Sequence, residues 1–192
     1  MIEGIKEGKK PVSWTKFKLS SPLSFANALR RTIMNDIPVL AIEDVNILKN
    51  NSIVYDEMLA LRLGLIPIIA DPEEYWNKKK FKVAFVLKGE GPITMYSKDL
   101  QPMDPRIVPA FPDIPIMKMV EGQEVELEAW ASIGTAKEHA KWQAGHAFYK
   151  ETNTGFEFYV ESFGNMPAKE LVHRAAMILK KKGQEFGDWV KK

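Results

Sequence analysis

The stretch Phe25-Ala26-Asn27-Ala28-Leu29-Arg30-Arg31-Thr32-Ile33-Met34 decides how the rest of the chain is read. At helical period Phe25, Leu29 and Ile33 fall on one stripe with Ala28 and Thr32 beside it, while Arg30 and Arg31 turn to other faces. One side therefore needs apolar cover and the other carries fixed positive charge. Ser21, Pro22 and Ser24 supply the side-chain oxygen and pre-set φ that a helix start favours, and Asp36 to Pro38 supplies the stop. The small residues Ala26, Asn27 and Ala28 admit another backbone at close range, so the pattern predicts a helix built for docking.

A helix of the same kind is expected at the far end of the sequence. Gly164-Asn165-Met166-Pro167 starts it, Leu171, Ala175, Ile178 and Leu179 give it an apolar face, and Lys180 to Lys182 suit its negative dipole end. Gly183 and Gly187 are poor helix formers and predict a kink or fraying before Trp189. A shorter helix is expected where Asp56 caps a segment whose Met58, Leu61 and Leu65 recur at steps of three and four. Gly64 is placed to close that helix in a left-handed cap, and Pro67 forbids continuation.

Strand signals fill the remainder. A half-buried strand is expected from Val12 to Leu19, feeding the first helix, and one strand or two from Val39 to Leu48. Phe81, Val83, Phe85 and Leu87 alternate with lysines, and Gly89-Glu90-Gly91 turns the chain into residues 92–96 in what reads as a hairpin. Prolines at 102, 105, 109, 112 and 115 predict an extended segment running over a surface. Val125, Leu127, Ala129, Ala131 and Ile133 alternate with Glu124, Glu126 and Glu128, the clearest strand in the chain, with its acidic face in water. Two further strands are expected at His146 to Lys150 and Phe156 to Phe163. Residues 1–10 read as a mobile charged arm, and residues 71–80 as an exposed polar loop or short helical turn around Glu73, Glu74 and the Lys78 to Lys80 run.

The order strand, helix, β-rich middle, strand, helix predicts an α+β fold. A discontinuous domain of antiparallel sheet plus two helices, residues 1–39 and 153–192, brackets an inserted β-rich domain of residues 40–152.

Composition narrows the function. The 192 residues carry 27 basic and 25 acidic side chains, so a general attraction to polyanions is not demanded. With no cysteine, disulfides, thiolate zinc sites, iron–sulfur clusters and cysteine nucleophiles are excluded. No apolar run approaches the roughly 20 residues of a membrane span, and residues 1–11 do not read as a signal peptide, so an intracellular, cytoplasmic protein is expected. Phosphate-binding and dinucleotide fingerprints are absent. His139, His146 and His173 follow no metal-ligand spacing, and Ser24, Ser132 and Ser162 sit in no nucleophile elbow. Acidic residues gather at Asp99, Asp104 and Asp113 and at Glu121 to Glu128, the one arrangement that leaves an independent metal-dependent hydrolase as an alternative. Basic and aromatic residues interleave through Lys137, Lys141, Trp142, Phe148 and Tyr149, without the pattern of a single-strand-binding platform.

Several ordered blocks together resemble one family. They are residues 25–33 above, Asp56-Glu57-Met58-Leu59-Ala60-Leu61-Arg62-Leu63-Gly64-Leu65-Ile66-Pro67, Glu121-Gly122-Gln123, Lys137-Glu138-His139-Ala140-Lys141-Trp142, and Phe158-Tyr159-Val160-Glu161-Ser162-Phe163-Gly164. The chain is similar to the family that comprises the D-type subunit of archaeal RNA polymerase, the bacterial alpha amino-terminal domain and their eukaryotic counterparts. That resemblance implies a non-catalytic assembly subunit in transcription, part of a nucleotidyltransferase complex. It further implies a heterodimer with subunit L through a four-helix interface, and a platform for the large catalytic subunits and the small subunits N and P. Nucleic acid would be met only through the complex. Phe25, Leu29, Ile33, Leu171, Ala175, Ile178 and Leu179 are implied at the dimer interface, and Arg30, Arg31 and Arg62 at the large-subunit contact, with Arg31 the stronger candidate. Self-pairing of the same helices, as in an alpha-like homodimer, is the other reading of the interface. Many archaeal members carry a ferredoxin-like insertion with cysteines; here Phe148-Tyr149-Lys150 passes through residues 151–155 directly into the next strand. The expectation is a compact form with no cofactor.

Overall fold

The computed structural model describes residues 2–8, 12–71 and 81–191. In chain order the elements are β1 (Ile2–Gly8), β2 (Trp14–Leu19), α1 (Leu23–Asn35), β3 (Val39–Asn50), α2 (Asp56–Gly64), β4 (Ile68–Ile69), β5 (Lys82–Glu90), β6 (Ile93–Tyr96), β7 (Gln101–Pro102), β8 (Val108–Pro109), β9 (Pro115–Met119), β10 (Glu124–Gly134), β11 (Gly145–Thr152), β12 (Gly155–Ser162) and α3 (Ala168–Val190). The sheets are antiparallel throughout, giving the expected α+β class. The chain divides into two compact units, residues 1–38 with 135–192, and residues 39–134.

The first unit is a sheet of order β1-β2-β12-β11 with α1 and α3 packed on it. Thr15, Phe17 and Leu19 on β2 and Phe156, Phe158, Val160 and Ser162 on β12 are buried, every second residue, as a sheet with one covered face requires. Phe17 and Phe158 stack with ring centres 5.1 Å apart. Lys16 and Lys18 point to the opposite face and are exposed. The hairpin between β11 and β12 closes at Gly155, whose φ of +139° and whose close approach to the Leu19 carbonyl oxygen leave room for no side chain.

The two ends of the chain are stitched together here. The Ser162 amide donates to the Ser13 carbonyl at 2.9 Å, and the Ser13 hydroxyl accepts from the Ala168 amide at 2.9 Å, serving as a remote cap for the first turn of α3.

In the second unit β10 is central in a sheet of order β3-β10-β5-β7, flanked by the short pairs β4-β8 and β6-β9. Leu127, Ala129 and Ala131 from β10 meet Leu40, Ile42, Phe85 and Leu87, and α2 closes this core with Leu59 and Leu63. The turn before α2 is tied by Asn50, whose amide donates to the Val54 carbonyl at 2.9 Å and to Asp56 Oδ1 at 2.7 Å.

Several expectations are corrected. Residues 2–8 are a strand paired with β2 rather than a mobile arm; the charges that read as a solvated tail lie along an edge strand. The boundary of the inserted segment is not at 152, because β11 pairs along its whole length with β12 and so belongs to the first unit. No hairpin joins β5 to β6: β5 pairs with β10 and β7, and β6 pairs with β9. The proline segment is not merely superficial, since Ile107 within it is buried and its short strands pair at sheet edges, where a missing N–H is tolerated. Residues 39–50 form one strand. Pro22 stands at the N-cap of α1, its carbonyl accepting from the Phe25 and Ala26 amides and from the Ser21 hydroxyl, and no serine side chain accepts from the first amides of the helix. Tyr55, not Asp56, stands at the N-cap of α2, and Gly64 remains right-handed, with Leu65 at the C-cap with φ −87°. Helix α3 runs on through Gly183 and Gly187 to Val190 without interruption. The expectation for residues 72–80 lies outside the described residues.

Candidate docking surface

Helices α1 and α3 pack against each other and against their sheet, so the direction of every apolar side chain follows from its place on the helix. On α1, Ala26, Leu29 and Ile33 are buried, whereas Leu23 and Phe25 are exposed. On α3, Leu171 and Ala175 are buried, Ile178 and Leu179 are half-buried, and the remainder is largely open to solvent. Residues 171, 175, 178, 182, 186 and 189 lie on one continuous stripe at 100° per residue. The same face that seals the core at Leu171 therefore reappears uncovered at Phe186 and Trp189, which are 65% and 71% exposed. Their rings stack on one another at 6.2 Å, with Val190 alongside in sequence and also exposed.

Of the seven side chains expected at a dimer interface, then, Leu29, Ile33, Leu171 and Ala175 are occupied within the chain's own core. Phe25 presents itself outward, and Ile178 and Leu179 stand at the border. Periodicity marked the stripe correctly but could not say which turns the sheet would cover. Leu23, Phe186, Trp189 and Val190 are further exposed apolar side chains of these helices, and the sequence signal for Phe186 and Trp189 is the continuation of the α3 stripe past Gly183.

A polar clamp sets the mutual placement of the two helices. Asp36, at the C-cap of α1, pairs with Lys137 at 2.7 Å and with Lys182 of α3. Burial alone raises the Asp36 carboxyl, but the hydrogen bonds and charges of the two lysines outweigh it and hold the group below its ordinary range. Tyr149 of β11 donates to Asn27 Oδ1 at 2.9 Å, fixing α1 on the sheet edge.

The three arginines differ. Arg31 is exposed, Arg30 is half-buried with Nη1 3.6 Å from Met34 Sδ, and Arg62 donates to the Pro115 carbonyl at 2.7 Å. The acidic clusters are engaged elsewhere: Asp104 with Arg106 at 2.7 Å, Asp113 with Lys98 at 3.6 Å, Glu124 with Lys49 at 2.8 Å and Glu126 with Lys88 at 3.1 Å. Asp99 accepts from the Tyr96 amide at 2.7 Å. His139 Nδ1 accepts from the Lys141 amide at 3.1 Å, and His146 lies beside Phe148 with ring centres 6.1 Å apart. Among the described residues no group of three or more histidine or acidic side chains is placed to hold a metal. No helix among them is long and apolar enough to cross a membrane.

Comparison with known proteins identifies the family. Residues 21–182 match the model of the RNA polymerase Rpb3/Rpb11 dimerisation domain. The chain belongs to that family. It is 44% identical over 171 residues to a protein of Methanocaldococcus jannaschii named DNA-directed RNA polymerase subunit Rpo3, covering 88% of this chain and 86% of that one. Proteins of the same name from Methanosarcina mazei and Thermococcus kodakarensis are 45% and 42% identical, over 69% and 74% of this chain. Against those two the match spans only 54% and 56% of their length. The matched region takes in α1 whole and α3 as far as Lys182, and Phe186 and Trp189 lie beyond its end.

Proposed function

We propose that this chain is a non-catalytic assembly subunit of a DNA-directed RNA polymerase. Its α1 and α3 pair with the equivalent helices of a smaller subunit of the L type, and the heterodimer holds the large catalytic subunits, with N and P, in register. The polymerase as a whole is the nucleotidyltransferase. One observation carries the reading: a single helical stripe starts inside the chain's own core and ends as an uncovered aromatic ridge at Phe186 and Trp189. Large apolar groups presented together on one surface are characteristic of subunit interfaces, and burying them returns roughly 25 cal/mol per Å². Arg31, exposed on α1 away from that face, is the strongest candidate of the three arginines to meet a large subunit, since its fork is open to a carboxylate.

Co-expression with an L-type subunit tests the proposal. A one-to-one heterodimer that Phe186→Asp with Trp189→Asp disrupts, while the chain stays folded, is the expected result. A chain that stays monomeric beside a folded L-type subunit would overturn it, and a mass of two copies would assign the ridge to self-pairing.

A further inference from the structure

The sheet of the first unit has a second face, opposite α1 and α3, whose side chains reach solvent. Thr15, Phe17 and Leu19 of β2 turn toward the helices, so Trp14, Lys16 and Lys18 turn away from them. By the same alternation the outward residues are Glu157, Tyr159 and Glu161 on β12 and His146, Phe148 and Lys150 on β11. Register lines them up in rows across the strands. Gly8, Trp14, Glu161 and His146 form one row, Lys6, Lys16, Tyr159 and Phe148 the next, and Lys18, Glu157 and Lys150 the third.

Three rings from three strands meet on this face. Trp14 and Tyr159 have ring centres 5.9 Å apart and planes 20° apart, and Tyr159 and Phe148 have centres 5.1 Å apart at 33°. The indole fills the place that a side chain at Gly8 would take, so it leans over β1 instead of standing free of the sheet. Tyr159 holds nearly the same plane, and Phe148, 51% exposed, continues the apolar surface onto β11. No stretch of sequence discloses this surface, since residues 14, 148 and 159 are joined only by strand pairing.

Charge decides the class of occupant. Among the described side chains of this face, four lysines stand against two glutamates. Glu157 lies between Lys18 and Lys150 in its row, and Glu161 between Trp14 and His146. Lys6 and Lys16 are directly opposite one another, with no carboxylate in their row. Like charges so placed repel, and an anion set between them relieves the repulsion. The centre of a protein–protein interface is depleted in lysine, whereas a phosphate backbone with flat bases takes rings and cations side by side. An open four-stranded sheet with rings on its free face is one of the arrangements on which single-stranded bases stack.

We propose that this face binds single-stranded nucleic acid, stacking bases on Trp14, Tyr159 and Phe148 and holding phosphate at Lys6 and Lys16. The proposal goes beyond the assembly role and does not depend on it. Because the rings lie on the side of the sheet away from α1 and α3, a subunit paired with those helices leaves the strand in place.

The test is fluorescence anisotropy of labelled oligouridylate and oligothymidylate of about 12 nucleotides, titrated with the full chain alone and with an L-type subunit present. Both strands are expected to bind more tightly than a duplex of equal length, whose bases already stack on one another, and to stay bound when the L-type subunit is added. Tighter binding of the ribo strand would assign a contact to the 2′-hydroxyl, and equal binding would assign the contacts to bases and phosphates alone. Phe148→Ala should weaken binding about fivefold or more with thermal unfolding unchanged. Lys16→Gln, which removes no packed group, should weaken it and lower the slope of log affinity against log salt by about 0.7. Absence of binding by the unsubstituted chain at low salt would overturn the proposal, as would affinities that neither substitution alters. Preference for the duplex, or for vesicles of anionic lipid, would overturn it too. So would capture of a protein on this face, abolished by Phe148→Ala, by a chain that binds no oligonucleotide.

Discussion

Helices α1 and α2 are alike in sequence habit and opposite in use. Each is short and amphipathic, and each packs on an antiparallel sheet. In α1 the stripe of Leu29 and Ile33 is spent on the chain's own sheet, leaving Phe25 and Leu23 outside. In α2 the stripe of Met58, Leu61 and Leu65 is the one left outside, and Leu59 and Leu63 do the packing. A helix therefore packs its own fold and presents apolar groups to solvent with different turns of the same cylinder, and substitutions one or two positions apart should have separate consequences.

The largest expected effects separate inner from outer residues. Leu171→Ala and Leu59→Ala each empty a fully buried site and should cost about 2–5 kcal/mol in urea unfolding of the isolated chain. Leu61→Ala, two residues from Leu59, should change stability by only about 0.5 kcal/mol or less. Equal losses at residues 59 and 61 would erase the distinction between the faces of α2.

Next comes the remote cap. Ser13→Ala deprives the Ala168 amide of its acceptor and should cost about 1 kcal/mol, with hydrogen exchange rising first in the opening turn of α3. No change at that amide would mean that the chain ends are not joined through this contact.

Smaller again is the contribution of Asp36. Its carboxyl is held below the ordinary value, so the stability it contributes is present above the unfolded-state pKa and lost as pH falls through the folded-state one. Lys137 and Lys182 reach it with partly exposed side chains, so solvent screening should keep the effect to about 1 kcal/mol or less. Asp36→Asn should remove that acid-range dependence and flatten the difference between about pH 5 and about pH 3 in parallel unfolding curves. A slope identical to that of the unsubstituted chain would show that the clamp is idle.

The sequence made the α+β class, the three helices and most strands legible, because each rests on local periodicity or on Gly and Pro punctuation. What it could not disclose depended on partners distant in the chain. Nothing near residues 2–8 announces pairing with β2, and β11 reads as a strand without saying to which sheet it belongs. The glycines at 183 and 187 lower helix propensity, yet α3 passes through both, since each lies where an added side chain would meet only open space and the loss relative to alanine is about 1 kcal/mol per site. Of the candidate interface, the stripe was visible in α1 and α3, but its division into core and free surface was not. That division depends on where the sheet ends beneath the helix.

The proposed partnership with another chain rests on the uncovered end of α3. Its most direct test is the solution mass of the purified chain with an L-type subunit, measured by light scattering for the natural sequence and for Phe186→Asp with Trp189→Asp. A one-to-one heterodimer that separates into two folded monomers on substitution is the predicted result. A heterodimer of unchanged mass and affinity in the doubly substituted chain would contradict it.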